Sequence, residues 1–527
     1  MTNKISIIFV YALIFIISFY VNYYYGFQGI NPVDNFTNYN SGFNFLIDKY
    51  PFKDFWTATG PLLGFIQSIF FKVFGINWTS YVIHASFFNS IISLSLFWFL
   101  CNFGISLRLS FIYSILFSII FYPPAGTPFV DHHSMIFTYL SFFLLVYSIN
   151  DNKCNLFFLL PVLFLFGFFS KQTPIGYFFL IITPIIILNL RKISQLRSIF
   201  LGSLLSIFLF FIYIFLTQTN IIDIYHQYIL TASEVGSYRF NNSSFSFYDI
   251  FYRYRFIYIS LFFLLYLIFR YKNFEKYFKI SKFQLIYLLV ALNCTLIFHQ
   301  LLSMNQAFIL SLIFLNFGMC FRFISFDKSK LLNNKIFFLI IIISILVCTR
   351  YHFKYNEPRR FNDLAYSNKT QKINAGKYFP SLNKLHWFTR HSNDPKEEIK
   401  NLKLVYNILE KEKKIYSLVT DYQFLPSELK KYGNFPIKWF HPDVSFPVMP
   451  PQKNKWWNTL GSSMREQTAF KNFFVNQLRV NKVEKMYFIP PDGIRKEIIK
   501  VTIENDCRMD DLSLVKDQYE EISINCM

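Results

Sequence analysis

Residues 5–36 read ISIIFVYALIFIISFYVNYYYGFQGINPVDNF, an apolar run from Ile5 to Tyr25 followed by a polar stretch that carries one carboxylate, Asp34. The run is long enough to cross a hydrocarbon core of about 30 Å and has no small-residue cleavage site, so it reads as an uncleaved signal anchor with its N terminus inside. Asp34 then stands just beyond the far end of the first span. Its place there needs a reason, because the loop around it is otherwise Asn, Thr, Tyr and Phe.

The rest of the chain fits a membrane protein. Of 527 residues, 53% are hydrophobic and only 16% are charged, far more apolar material than a soluble fold of this size uses. The net charge of +21 does not point to nucleic acid, since the basic residues fall in short clusters between apolar runs, as in the cytoplasmic loops of polytopic proteins. Aromatic residues reach 21%, with 70 Phe; lipid-facing positions account for most of them.

After the polar stretch 26–60, further apolar runs occupy 81–100, 107–122, 134–149, 155–169, 174–190, 198–216, 255–270, 283–302, 307–324 and 336–348. With the first run they predict about 11 transmembrane helices. Lys4, Arg108, Lys153, the trio Arg191, Lys192 and Arg197, the run 270–282 and the run 322–335 lie in alternate loops, which the positive-inside rule places in the cytoplasm. The segments 26–80, 123–133, 170–173, 217–254 and 299–306 then face outward, as does everything after Arg350. The expected division is a membrane domain, 1–350, with an outer catalytic loop 26–80, and a soluble extracytoplasmic domain, 351–527.

That tail is rich in charge and reads as a small α/β domain. Asp394-Pro395-Lys396-Glu397 carries a capping residue, a proline at the first helical position and an acid at the third, and Ile399, Leu402, Val405 and Leu409 follow at helical spacing. Residues 415–419 and 486–489 are strand-like, and 470–478 lie between them. No glycine-rich phosphate loop is present. Cys101, Cys154, Cys294, Cys320 and Cys348 lie in or beside apolar runs and read as small hydrophobes. Cys507 and Cys526 stand apart in the tail and are expected to form a disulfide if it faces an oxidising space.

The spans hold almost no ionisable residues, which argues against an ion-coupled transporter. The polar candidates are on the outer side: Asp34 and Lys53 in the first loop, Asp131-His132-His133 in the second, Lys171-Gln172-Thr173 in the third, and Tyr238-Arg239 with Arg253 and Arg255 in the fourth. Each also has an ordinary structural reading. Asp34 can cap a helix over 39–47, Asp131-His-His can mark the start of a span, Lys171 can snorkel, and the arginines can meet anionic lipid. A divalent metal on Asp131, His132 and His133 is conceivable, although three adjacent side chains cannot all point inward.

The first loop continues as Lys53-Asp54-Phe55-Trp56 and Thr59-Gly60-Pro61, then an apolar helix closing with Phe70-Phe71-Lys72-Val73-Phe74-Gly75. This organisation, from about Ile5 to Arg350, resembles the GT-C superfamily of membrane glycosyltransferases that use polyprenyl-phosphate-linked sugars. In that family an acid follows the first span and precedes a Gly/Pro-containing juxtamembrane stretch. The family often has two adjacent acids there, whereas Asp34 is followed by Asn35. The resemblance implies an inner-membrane enzyme with a periplasmic C-terminal domain, a polyprenyl-phosphate sugar donor and a lipid or glycan acceptor. It also explains a lone acid. A lipid-linked phosphate leaves as a stable anion, so transfer needs one base for the acceptor hydroxyl and cations for the phosphate, but no general acid. Asp34 is then the candidate base, Lys171 and Arg239 the candidate phosphate cations with Lys53 behind them, and Asp131, His132 and Gln172 the candidate substrate contacts. An envelope polysaccharide polymerase or ligase, and a transporter or flippase, are the alternatives.

The loop pattern makes one direct prediction: a reporter enzyme fused after Arg350 is active only outside the cytoplasm. A cytoplasmic signal from that fusion would move Asp34 to the other side as well and remove its assignment as base.

Overall fold

The computed structural model describes residues 2–190, 193–242, 246–272, 274–303, 307–324, 330–367, 371–440, 464–516 and 518–526. Each apolar run named above forms a helix, because unbroken Leu, Ile and Phe leave the backbone no partner in lipid except itself. Among the described residues six helices are long and apolar enough to cross a membrane, namely Ile7–Gly26, Trp78–Asn102, Val130–Asn150, Ile193–Thr217, Lys282–Ser303 and Lys335–Asn362. The other five expected spans are helices of only 12 to 16 residues, Leu107–Phe121, Leu159–Ser170, Ile175–Asn189, Arg255–Arg270 and Leu312–Ile324. At 1.5 Å per residue these extend about 18–24 Å, short of the full hydrocarbon thickness. Of the about 11 expected spans, six thus have spanning length among the described residues and the rest are shorter apolar helices.

The chain divides into two compact units that are interleaved in sequence. The first comprises Met1–Gln28, Val82–Phe210 and Ser244–Tyr366, and the second Gly29–Tyr81, Phe211–Ser243 and Ser367–Met527. This division differs from the expected one at Arg350. The outer loop groups with the C-terminal chain, and the last long helix runs on past Arg350 within the first unit.

The first unit is built around the helix Val130–Asn150, 83% of whose apolar window is buried, against 11% for Ile193–Thr217. Between its helices the apolar contacts are joined by amide and hydroxyl bonds. Asn316 donates to the carbonyl oxygen of Asn293 at 3.0 Å and to the hydroxyl of Ser260 at 3.2 Å, and Tyr113 and Ser344 hydroxyls meet at 2.9 Å. Helices in lipid associate through such polar contacts and close packing, since burial of apolar surface gains little there.

One arginine ties three parts of this unit together. Arg359, 1% exposed, donates from Nε to the carbonyl of Gln28 at 3.0 Å, from Nη1 to Pro123 and Pro124 at 2.7 and 3.2 Å, and from Nη2 to Ala125 at 2.9 Å. Gly126 takes φ +73, and a Cβ there would lie 2.9 Å from Arg359 Nη2 and from the Tyr25 backbone. Only glycine fits that approach.

In the second unit the helix Pro32–Leu46 follows Asn31 at the capping position, with proline at its first position. A second helix, Leu62–Phe74, buries Leu63, Gly64, Gln67, Ser68 and Phe71 on one side. The C-terminal chain adds a two-stranded pairing of β1 (Ile373–Asn374) with β2 (His386–Trp387). It also forms a sheet of β3 (Tyr416–Thr420), β4 (Lys485–Ile489), β5 (Cys507–Lys516) and β6 (Tyr519–Cys526) in the order β3-β4-β6-β5. β3 and β4 are parallel and the remaining pairs antiparallel. The helix Pro395–Lys411 starts where the capping pattern predicts, with the Asp394 carboxylate accepting from the Lys396 and Glu397 amides.

The first loop is stitched to this chain by its backbone. Gly29 and Ile30 N–H donate to the His386 and Phe388 carbonyls at 3.1 and 3.2 Å, and Trp56 N–H donates to Pro436 at 2.7 Å while its carbonyl accepts from Lys438 N–H at 2.9 Å. Trp56 completes the same apolar core as Val419, Phe470, Phe474, Met486 and Phe488.

Cys507 and Cys526 sit opposite one another in the β5–β6 register and are joined by a disulfide with 4.1 Å between their Cα atoms. Closing a loop of this size restricts the unfolded chain by about 3 kcal/mol. Replacing both cysteines with serine is therefore expected to lower stability by about 2–4 kcal/mol, read as a lower urea midpoint for the C-terminal sheet in pulse proteolysis. An unchanged midpoint would show that the bond adds nothing to this unit.

Candidate functional site

Within the first unit Asp131 and Lys171 meet. Asp131 lies in the first turn of the helix Val130–Asn150, where the free N–H groups favour a negative charge. Its carboxylate is 1% exposed, and Oδ1 lies 2.7 Å from Lys171 Nζ. His299, on the helix Lys282–Ser303, brings Nε2 to 2.7 Å from the same oxygen, while its Nδ1 is 3.0 Å from the Thr173 hydroxyl. The third loop supplies both Lys171 and Thr173, so one short turn serves both sides of the cluster.

The local chain explains why Lys171 points there. It is the extended residue that ends the helix Leu159–Ser170, its N–H donates to Gly167 at 3.0 Å, and its carbonyl accepts from the Ser134 hydroxyl at 3.0 Å. At Gly167 a Cβ would lie 2.8 Å from Ile175 and 3.1 Å from Phe137, so glycine lets this helix close on the one that carries Asp131. The Lys171 side chain is 18% exposed. Among the described residues its ammonium meets only Asp131, so two of its three N–H groups remain available to a ligand.

The two histidines beside Asp131 turn elsewhere. His132 Nε2 is 2.9 Å from the Phe121 carbonyl, and its ring stacks on Tyr122 at 4.3 Å and meets Phe308 at 3.9 Å. His133 Nε2 is 3.0 Å from His84 Nε2, and its Nδ1 is 3.2 Å from the Tyr122 hydroxyl. A helix rotates successive side chains by about 100°, which sends Asp131, His132 and His133 in different directions. His132 is thus held in the core. Among the described residues no three His, Cys, Asp or Glu side chains gather as a metal-ligand set. Gln172 is half-buried and its carbonyl accepts from Gly176 N–H at 3.0 Å, opening the helix Ile175–Asn189.

Asp34, Lys53 and Arg239 belong to the second unit, on three separate elements. Asp34 is not the cap that one reading of the loop offers. The helix starts at Pro32, and Asn31 is its capping residue, whose N–H donates to Asn35 Oδ1 at 2.8 Å and whose Nδ2 donates to Asp34 Oδ2 at 3.3 Å. Lys53 Nζ is 3.4 Å from Gln218 Oε1, and its carbonyl accepts from Gln477 at 2.7 Å. Arg239 lies in the last turn of the helix Thr231–Asn242. Of the other fourth-loop arginines, Arg253 pairs with Asp249 at 2.8 Å and Arg255 lies over the Tyr252 ring at 4.0 Å. The sequence reading missed His299. Its signal was its placement in an outward segment, on the same side as the loops of Asp131 and Lys171.

Removing Lys171 leaves the buried Asp131 carboxylate with His299 as its remaining partner, and removing Asp131 takes the carboxylate from Lys171. Asp131→Asn and Lys171→Met are each expected to cost about 3–5 kcal/mol, and the double variant less than their sum. Thermal unfolding of the detergent-solubilised protein measures the cycle. Strict additivity would show that the two groups do not act as a pair.

No protein-family model matches the chain, and no curated protein matches it. Solved structures do. The crystal structure of ArnT from Cupriavidus metallidurans bound to undecaprenyl phosphate shares 9% identity, over 98% of this chain and 97% of that one, with a TM-score of 0.52. The apo state of the same ArnT also matches at 9% identity, over 99% and 98% of the two chains, with a TM-score of 0.47. Likeness at this identity is likeness of fold. The chain is an integral membrane protein whose fold is like that of ArnT, as its succession of apolar spans led us to expect of a membrane protein.

Proposed function

We propose that the protein is a glycosyltransferase that moves a sugar, with inversion, from a polyprenyl-phosphate carrier to an acceptor hydroxyl at the outer face of a bacterial inner membrane. Its residues after Arg350 would then lie in the periplasm. The observation that carries this reading is the Asp131–Lys171 pair in a chain with the ArnT fold: a buried carboxylate fixes a cation that keeps two N–H groups for an anionic ligand. Undecaprenyl phosphate, present in the ArnT crystal structure, is an anion of the kind such a cation would meet.

In the proposed reaction the acceptor oxygen forms a bond to the anomeric carbon as the carbon–oxygen bond to the phosphate breaks. The bonding pair leaves on phosphate oxygen, and the acceptor proton passes to a carboxylate. Asp34 is proposed as that carboxylate. Lys171, with Arg239 and Lys53 as further candidates, offsets charge developing on the phosphate. Asp131 acts through Lys171 by holding it in place, and Gln172 is a candidate contact to the sugar. A lipid or glycan supplies the hydroxyl.

Asp34→Asn tests the base. Asp34 is not the capping residue; its carboxylate adds a first-turn charge worth about 0.3–1 kcal/mol and accepts from Asn31 Nδ2, a bond the side-chain oxygen of Asn can also accept, so the variant should fold. Turnover with a panel of polyprenyl-phosphate sugars should fall by roughly 100-fold or more, with donor binding retained. Lys171→Ala should instead weaken donor binding. Normal turnover in Asp34→Asn would remove the base assignment, and solute movement across vesicles without sugar transfer would replace the reading with transport.

A further inference from the structure

One end of the last long helix carries a charge pattern that the transfer reaction does not use. Residues 350–363 read RYHFKYNEPRRFND, and with 248–255, YDIFYRYR, they hold six Lys or Arg against three Asp or Glu. In the expected topology both segments face outward, where the positive-inside pattern predicts few basic residues. Orientation therefore does not account for the excess.

The fold gathers these cations in the first unit. Lys354 lies within electrostatic reach of four guanidinium groups, those of Arg253, Arg255, Arg350 and Arg360. Asp249 offsets part of the charge by pairing with Arg253 at 2.8 Å, whereas Glu357 is turned to Tyr25 and His352. Arg359 takes no part, since its guanidinium is held by the four carbonyls described above. Like charges brought this close repel, so an anion placed among them relieves a standing cost.

Two further observations indicate what kind of anion. The candidate span Lys335–Asn362 has 28 residues, about 42 Å at helical rise against a hydrocarbon core of about 30 Å, so its ends stand among the lipid headgroups. Aromatic rings mark the same level. Phe247, Tyr248, Phe251, Tyr252 and Phe353 are exposed beside the cations, Arg255 lies 4.0 Å over the Tyr252 ring, and Lys354 Nζ lies 5.0 Å from the centre of the Tyr355 ring. Exposed aromatic rings set beside charged groups are characteristic of a membrane–water interface. We propose that this patch seats an anionic phospholipid, its phosphate among Arg255, Arg350, Lys354 and Arg360 and its acyl chains along the exposed rings. A soluble anion would gain nothing from those rings. The site uses neither Asp34 nor Lys171 and does not rest on the transfer reaction.

The test reconstitutes the full chain in phosphatidylcholine vesicles that carry a trace of photoreactive phosphatidylglycerol or photoreactive phosphatidylcholine, followed by light and peptide mass mapping. Residues 247–256 and 350–361 should be labelled at least about tenfold more by the anionic probe, and the difference should shrink as salt is raised. Arg350→Gln combined with Lys354→Gln should cut that labelling about tenfold while labelling at the basic run 270–282 stays unchanged. Because the double variant relieves repulsion, its thermal unfolding midpoint should be no lower than that of the parent chain. Equal labelling of the patch by the two probes, or undiminished labelling in the double variant, would overturn the proposal. Loss of the labelling to inorganic phosphate would overturn it too, because the patch would then be a simple anion site.

Discussion

A buried guanidinium has five N–H donors and no way to lose its charge, so it is tolerated only where oxygen atoms surround it. Arg359 meets this demand with four backbone carbonyls taken from the end of the first helix and from the Pro123–Ala125 turn. Backbone oxygens cannot be substituted away, and they hold position only if the segments bearing them are correctly placed. The first unit thus has a polar lock that accepts one arrangement of three chain segments. The turn it fixes leads, within a few residues, into the helix that presents Asp131.

Asp131 sits in a comparable situation with the charge reversed. It is as buried as Arg359, but its partners are the side chains of Lys171 and His299, brought by the third loop and by a helix more than a hundred residues further on. A carboxylate so enclosed is poorly placed to meet a substrate itself. The exposed part of the cluster is the lysine head, 18% exposed against 1% for the carboxylate.

Local features were legible in the sequence. The apolar runs became helices, Asp394 caps the helix that its spacing announced, and the strand-like stretches near 415 and 486 pair in the sheet. Features that depend on distant chain were not. The membership of the first loop in the C-terminal unit rests on bonds such as Trp56 to Pro436, between residues with no shared pattern. No sequence pattern singled out Arg359, and His132 was grouped with Asp131 only by adjacency. Their roles were settled by carbonyls and rings from other helices. Among the candidate residues, the sequence identified Asp131 and Lys171 but not that they are each other's partners.

The short helix Leu62–Phe74 has buried residues on one side, while Phe65, Ile69, Val73 and Phe74 are about half or more exposed on the other. Its thirteen residues extend only about 20 Å, too little to cross a bilayer. A helix of that length with an apolar outer stripe belongs in the plane of the headgroups, floating rather than piercing. The unit that contains the C-terminal sheet also contains this helix, and cutting the chain after the last span would separate the two. What the sequence presents as a separate tail shares its compact unit with an apolar-faced helix encoded about three hundred residues earlier.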